Sequence, residues 1–417
     1  MKAFLTSYHK QVFIILVAWM IALLYSAEFI LSLSMISMIL LSLLERRGGK
    51  LTFRGGWKET ARIVKKDKSW IYATIPFFLV LFTWIYSSDM DYSLERLRIK
   101  LPFLILPLAF VRMPRLTERM YQNIHYIFLV LVSITSLGVL VNYLFHFEEI
   151  NLLISQGQSL PVPTNHIRFS LMVAFAVLVG FFLFRRKYAF RFAWEKWLIL
   201  GMSLFLLAFI HILSVRSGLV VFYIAMFILL LRFIFQTKRF LLGFGMLFLL
   251  TAMPILAYFL VPSLESKVNY MKWDIQQYME GKKTGNSDSE RLLSFQIGYS
   301  IVKENPILGV GAGDARPVLI EKYKELMPEL QEESYKNPHN QYFFVVLGTG
   351  LLGLCFFLWG IISPLFLQQR FKDPLFLSFI IIMLLSFMVE NTIENAVGIG
   401  LFTLFVMLGM NRLIRKH

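Results

Sequence analysis

Long apolar runs separated by short polar loops form the dominant pattern of this chain. We count twelve runs, most of them close to the roughly 20 residues that an α-helix needs to cross a bilayer. They cover residues 12–24, 29–44, 70–86, 99–111, 121–144, 166–184, 197–213, 219–235, 240–261, 341–358, 375–389 and 396–410. The pattern predicts an all-α, polytopic membrane protein of about 12 transmembrane helices, the first of them an uncleaved span.

One polar stretch of about 77 residues, 262–338, separates the ninth run from the tenth. Within it, Ser287 and Glu290 have the spacing of a capping box, and apolar residues then recur at helical spacing until Asn305-Pro306. We therefore expect a helix here, with Arg291 in its first turn. The predicted division of the chain is spans 1–9 at 1–261, a mainly helical periplasmic loop domain at 262–338, and spans 10–12 at 339–417.

The composition excludes a set of soluble domains, since 57% of the residues are apolar and 16% are charged, with a mean hydropathy of +0.63. The formal net charge of +16 arises mainly from basic residues that are concentrated in alternate loops. This is the pattern of a membrane protein in which the basic loops lie on the cytoplasmic side. Four such loops, 46–68, 112–119, 185–196 and 232–239, hold nine, three, five and three Lys or Arg residues. We expect cytoplasmic termini, an external polar stretch and no nucleic-acid partner.

Three residues on the predicted outer side carry the candidate chemistry. Arg216 interrupts two apolar runs, Arg291 lies in the polar stretch and His339 at its end. Taken singly, each has an ordinary alternative: an interfacial arginine, a salt-bridging arginine and a histidine at a helix start. Taken together, two guanidinium groups suit bidentate binding of phosphate, and a neutral histidine can accept a proton.

His166 and Arg168, at the start of the sixth run, are secondary candidates for contacting phosphate or acceptor. A capped helix start with an interfacial arginine is the equally acceptable alternative. Glu390 and Glu394 lie between the last two runs, where they either orient an arginine or are hydrated.

Two other patterns bear on cofactors. Gly309, Gly311 and Gly313 have no following Lys-Ser/Thr and no strand–helix context, so they predict a turn rather than a nucleotide loop, with backbone amides available to an anion. Cys355 is the single cysteine, which excludes an internal disulfide and a cysteine-based metal site. We therefore expect neither a cofactor nor a metal.

The motifs resemble those of the O-antigen ligase and Wzy-type polymerase superfamily of bacterial membrane glycosyltransferases. The resemblance rests on the order and spacing of several short motifs between about Arg216 and Gly353. These are Ser214-Val215-Arg216-Ser217-Gly218, Glu290-Arg291-Leu292, Asn305-Pro306-Ile307-Leu308-Gly309-Val310-Gly311, Pro338-His339-Asn340, Gly350 and Gly353. Two departures are Phe295, where such proteins often carry tryptophan, and Gly348, where an acidic residue is common.

The resemblance implies a ligase of the bacterial inner membrane with a periplasmic active site. Such an enzyme transfers a glycan from undecaprenyl-pyrophosphate to an acceptor, such as a lipid A core sugar, by a metal-independent inverting mechanism. By position, Arg216 and Arg291 would bind the pyrophosphate and His339 would be the general base. Membrane lipids would be its remaining partners.

Three alternatives remain open. An O-antigen polymerase and a protein O-oligosaccharyltransferase belong to the same superfamily, and one dominant outer loop favours the ligase over the polymerase. A twelve-span secondary transporter is the alternative from another class. It predicts two six-span halves and functional charges at mid-membrane, whereas the longest polar stretch here follows the ninth run.

Overall fold

The computed structural model describes residues 2–23, 28–47, 50–53, 55–280 and 287–412. Helices form most of these residues, and the strands among them are one antiparallel hairpin, β1 (Leu44–Arg47) and β2 (Lys50–Phe53), which the sequence analysis did not predict. The helices are α1 (Lys2–Leu23), α2 (Glu28–Leu43), α3 (Trp57–Lys66), α4 (Ser69–Tyr72), α5 (Ile75–Thr83), α6 (Met90–Arg112), α7 (Glu118–Phe145), α8 (Phe147–Ser155), α9 (His166–Arg185), α10 (Glu195–Leu213), α11 (Arg216–Thr237), α12 (Phe240–Leu260), α13 (Pro262–Met279), α14 (Ser287–Glu304), α15 (Ala315–Leu326), α16 (Gln341–Phe366), α17 (Pro374–Val389) and α18 (Ala396–Asn411).

Six helices in the described part of the chain are long and apolar enough to cross a membrane. They are α7, α9, α10, α11, α12 and α16, the last with the 3-10 turn that follows it. Shorter apolar helices occupy the first, second, eleventh and twelfth runs. These lengths support the all-α polytopic class, while the count of twelve spans remains a prediction.

The third and fourth apolar runs differ most from expectation. The third run divides into the short helices α4 and α5, with Pro76 in the first turn of α5. The fourth run forms only the second half of α6, which begins in polar sequence at Met90. Hydrophobicity therefore located both runs but did not give their helix lengths.

Contacts divide the chain into two compact units. The first comprises Met1–Phe128, Phe295–Ile380 and Asn391–His417. In this unit α6 packs against α2, α5 and α18, and Phe103 of α6 meets Phe402 of α18 with ring centroids 5.8 Å apart. A buried ion pair between Arg370 and Asp67 lies in the same unit, and Arg370 also donates to Ser69 Oγ at 2.7 Å.

The second unit comprises Leu129–Ser294 and Ile381–Glu390. Helix α9 is its central element and packs against α10 and α11. Most of α9 is buried, and Ser203 Oγ of α10 donates to the backbone oxygen of Val177 at 2.8 Å. Helix α13 packs on α8, so the start of the polar stretch forms part of this unit. The predicted domain boundaries at 261/262 and 338/339 stay a prediction.

The Gly309 turn forms as expected, but its amides do not face an anion. Gly309 and Gly311 adopt φ of +67° and +98°. The amides of Val310 and Gly311 donate to the oxygens of Leu347 and Gly348 at 3.0 Å each. The next two amides bond to Thr83 and Ser87 side chains. The expectation of anion-facing amides is wrong, because α16, Thr83 at the end of α5 and Ser87 after it supply acceptors that the local sequence does not reveal.

Gly350 makes this docking possible by breaking α16. Its φ of +65° and ψ of −174° lie in a region that only glycine adopts readily. A Cβ there would lie 2.0 Å from the oxygen of Ile307. Because the helix breaks here, the amides of Leu351 and Leu352 are available to the preceding turn. They donate to the backbone oxygens of Pro306 and Ile307 at 2.9 and 3.3 Å.

We expect Gly350→Ala to lower the free energy of unfolding by about 2 kcal/mol or more, since it adds both strain and a clash. The measurement is the thermal unfolding midpoint of the detergent-purified protein. Gly138→Ala in α7 is the matched control, because a Cβ there meets nothing within 4 Å. A midpoint for Gly350→Ala equal to that of the control would contradict this account.

Candidate functional site

Arg216 is the first residue of α11 and is fixed by the turn before it. Ser214 adopts the left-handed conformation (φ 50°, ψ 25°) that ends α10. Two residues into α11, Gly218 allows close packing, since a Cβ there would lie 2.2 Å from Ser170 Oγ of α9. The Arg216 guanidinium then donates from Nη2 to both carboxylate oxygens of Asp288 on α14, at 2.7 and 2.8 Å.

Asp274 fixes the start of α14, which carries Asp288 and Arg291. Its buried carboxylate accepts hydrogen bonds from the amides of Asp288 and Ser289 at 2.9 and 3.3 Å. A carboxylate here satisfies otherwise unpaired amides and complements the helix dipole. The sequence predicted a capping box through the side chain of Ser287, which lies outside the described residues.

Arg291 is the fifth residue of α14, so it lies at the start of the second turn rather than in the first. The difference arises because the helix includes Ser287 itself. The helix ends at Glu304, as expected before Asn305-Pro306. Arg291 Nη2 lies 3.7 Å from a carboxylate oxygen of Glu390, whose side chain is only 9% exposed. Of the two roles foreseen for Glu390, orienting an arginine is the one that the structure supports.

Lys267 of α13 is a further cation that sequence reasoning missed. Its Nζ donates to the backbone oxygens of Gly157 and Gln158 at 2.6 and 3.0 Å. The pKa of Lys267 is lowered to about 8, mainly by burial and also by Arg216 and Arg291, while Asp288 acts in the opposite direction. No local signal distinguishes Lys267 from the other lysines of the polar stretch, because its role depends on helix packing.

His166 and Arg168 lie at the start of α9 in the same unit. Asn165 caps this helix, accepting from the amides of Ile167 and Arg168 at 3.0 and 3.3 Å. The capped helix start is therefore confirmed, whereas Arg168 is buried rather than interfacial. His166 interacts electrostatically with Lys267, Glu390, Arg291 and Arg168. His166 thus adjoins cations of α13 and α14, and Arg168 lies beside it on α9.

We call these residues of the second unit the cation cluster: Arg216, Arg291, Lys267, His166 and Arg168, with the carboxylates Asp274, Asp288 and Glu390. Arg216 and Arg291 each have a carboxylate partner, at 2.7 Å and 3.7 Å respectively. Both guanidinium groups remain partly accessible, with 24% and 29% of their side chains exposed. The cluster can therefore bind an anion while its geometry is held by carboxylates.

His339 belongs to the first unit, where it is half-buried and immediately precedes α16. Asn340 caps α16, since its side chain accepts from the amide of Phe343 at 2.9 Å. The backbone amide of Asn340 also donates to Pro338 at 2.8 Å, which closes a tight turn around His339. The helix start predicted for this histidine is confirmed.

A buried network follows directly after this turn. Gln341 Nε2 and Lys100 Nζ each donate to Glu394 Oε1 at 2.6 Å, and Arg96 Nη1 donates to Glu394 Oε2 at 3.1 Å. Burial raises the pKa of the Glu394 carboxyl, but Lys100 and Arg96 outweigh burial and hold the pKa below its usual value. Glu394 is therefore an ionised, paired residue rather than a hydrated one.

The network lines a small cavity of about 40 Å³ together with Gly348. Gly348 stands where the resembling proteins often carry an acidic residue, and a Cβ there would lie 3.2 Å from Ala312 Cα. Glu394 thus supplies a carboxylate to the cavity that Gly348 lines. In the described part of the chain, no three His, Cys, Asp or Glu side chains are grouped as a metal site would require.

A family model described as "Wzy_C: O-Antigen ligase" matches residues 201–358. Over this segment the chain is similar to the O-antigen ligase family. The resemblance inferred from the motifs is confirmed, and with it a lipid-linked glycan and an acceptor as the general partners of the family. The O-antigen ligase segment contains Arg216, Lys267, Arg291 and His339, whereas His166 and Arg168 precede it. No curated protein matches the chain.

We expect Glu394→Gln to lower the free energy of unfolding by about 3 kcal/mol, because it leaves Lys100 and Arg96 buried without their counter-charge. Thermal unfolding of the detergent-purified protein measures the effect. Glu95→Gln is the matched control, since Glu95 is 60% exposed and lies 4.0 Å from Arg96. Equal midpoints for the two variants would show that the network adds no stability.

Proposed function

We propose that this chain is an O-antigen ligase that transfers a glycan from undecaprenyl-pyrophosphate to a lipid A core sugar at the periplasmic face of the inner membrane. The observation that supports it best is the cation cluster, in which Arg216, Arg291 and Lys267 belong to one unit and lie within a family segment that takes lipid-linked glycans. Neither a metal nor a cofactor has a role in this proposal.

In the proposed reaction, the bond between the anomeric carbon and the pyrophosphate oxygen breaks, and its electron pair leaves with the pyrophosphate. Negative charge thus develops on the leaving group during the reaction. Fixed cations at that position stabilise the transition state more than the ground state. Arg216 and Arg291 have this role, and their carboxylate partners keep them oriented before the substrate binds.

His339 is the proposed general base. It takes the proton of the acceptor hydroxyl as that oxygen forms its bond to the anomeric carbon. Attack opposite to the departing pyrophosphate inverts the anomeric centre, by analogy with one-step glycosidases. The turn from Pro338 to Asn340 and the bonds of Gln341 to the Glu394 network fix the backbone on either side of this histidine.

Deleting the gene tests the proposed activity. We expect the deletion strain to lose all long-chain bands of its lipopolysaccharide on a gel and to accumulate carrier-linked polymer. Wild-type protein should restore the bands, while His339→Ala should not, at normal membrane levels. Arg216→Lys should restore them poorly, because a point charge does not reproduce the guanidinium fork.

The control is His146→Ala, which removes an exposed histidine of the second unit. It should restore the bands fully. Bands of one repeat unit in the deletion strain would instead identify a polymerase. Full restoration by His339→Ala would remove this residue as the base, and an unchanged surface glycan after deletion would remove the proposed activity.

The pKa of about 8 for Lys267 predicts that anion binding depends on pH. Lys267 is charged below this pH and neutral above it, so the cluster loses one positive charge as the pH rises from 7 to 9. Between pH 7 and pH 9, we expect the affinity of the wild type for inorganic pyrophosphate to fall about fivefold more than the affinity of Lys267→Met. A factor of about five is the effect expected from losing one partly screened charge. Titration calorimetry of both proteins measures it.

Because wild type and variant meet the same ligand, the ionisation of pyrophosphate itself cancels in this comparison. Lys267→Met should bind more weakly at pH 7 and converge with the wild type at pH 9. Parallel pH profiles of the two proteins would show that Lys267 does not contribute its charge to the bound anion.

A further inference from the structure

A groove lies between the end of α8 and one face of α13, near the cation cluster. Its lining consists of Ser155, Gln156, Ser266, Asn269, Tyr270 and Trp273. Its volume is about 530 Å³, comparable with the roughly 300 to 1,000 Å³ of small-molecule sites. All of these residues belong to the second unit.

The chemistry of the lining is aromatic and polar but uncharged. Tyr270 and Trp273 have ring centroids 5.6 Å apart, and 48% of Trp273 is exposed. Hydroxyl and amide groups of Ser155, Gln156 and Ser266 surround the rings. Exposed rings offer apolar faces while the side chains around them offer donors and acceptors. A sugar ring has the matching surfaces, since its C–H faces are apolar and its hydroxyls lie around the edge.

The lining of the groove adjoins residues of the cation cluster. Ser266 precedes Lys267, and Tyr270 interacts electrostatically with Asp288 and Arg216. Lys267 also bonds to Gly157 and Gln158, which hold the segment after α8 against α13. The two walls of the groove are thus joined by a residue of the cluster itself.

We propose that this groove binds the sugars of the donor glycan that lie nearest the pyrophosphate. The inference rests on the proposed function, which puts the pyrophosphate at the cation cluster. Because these sugars are covalently attached to the pyrophosphate, they must lie next to it. A neutral groove adjoining a cationic site matches a neutral glycan joined to a diphosphate. Trp273 supplies the stacking face, and the amide and hydroxyl groups of the lining form hydrogen bonds with the sugar hydroxyls.

The test compares three probes on the full-length protein in detergent, with affinities measured by calorimetry. The probes are a one-repeat oligosaccharide released by mild acid from the surface glycan of the host, inorganic pyrophosphate, and the core oligosaccharide of the acceptor. We expect Trp273→Ala to weaken binding of the repeat-unit oligosaccharide about tenfold, the size of one lost ring contact, and to leave the other two affinities unchanged. Trp273→Phe should retain most of the affinity, since it keeps a ring.

Tyr299→Ala is the matched control, because Tyr299 is a 62% exposed aromatic residue of α14 outside the groove. It should leave all three affinities unchanged. Arg216→Lys should show the opposite pattern to Trp273→Ala, with loss of pyrophosphate binding alone. This contrast separates the groove from the cluster.

Unchanged oligosaccharide binding in Trp273→Ala, with Arg216→Lys still impaired toward pyrophosphate, would overturn the groove and leave the proposed function standing. Weakened binding of the core oligosaccharide instead would overturn the assignment to the donor. Equal losses toward all probes would show that Trp273 is structural or a membrane-interface residue, and would also overturn the inference. A wild type that binds neither pyrophosphate nor oligosaccharide would remove the proposed function as well.

Discussion

Charge compensation between arginines and carboxylates on neighbouring helices is the interaction on which the candidate site depends. Arg216 begins α11, yet its guanidinium is held by Asp288 of α14. Asp288 is placed in turn by Asp274, which accepts two amides at the start of α14. Removing one member of such a chain leaves a partly buried charge without its partner, which costs more than the pair contributes. The pairs therefore fix the cations before any substrate binds.

The same principle governs the first unit, with a different result. Glu394 compensates two buried cations, Lys100 and Arg96, and also bonds to Gln341, two residues after His339. The turn at Pro338 and the cap at Asn340 complete the fixation of this segment. Here the ion pairs are nearly fully buried, so they position the backbone rather than offer charge to a ligand. The cation cluster thus keeps accessible charge, whereas the Glu394 network fixes a segment of backbone.

The helices outside these clusters position them through close packing that depends on small residues. Gly218 brings α11 against Ser170 of α9, and Gly350 breaks α16 so that the turn around Gly309 can dock on it. In each case a side chain would occupy space already filled by a neighbouring helix or backbone. The glycines of the motifs thus support the site by allowing close packing of backbone segments. The amides of the glycine turn itself are occupied by acceptors within the protein.

The sequence by itself determined the class of the protein, the limits of most apolar helices and three candidate residues worth testing. Hydrophobicity acts locally, so runs such as 240–261 and 396–410 coincide closely with α12 and α18. Only the tertiary structure decided which charges meet. Asp274 and Lys267 carry no local signal, and the sequence did not give the partner of Glu390, because an ion pair depends on which helices pack together. The same reason explains the occupied amides of the glycine turn, whose partners are distant in the chain.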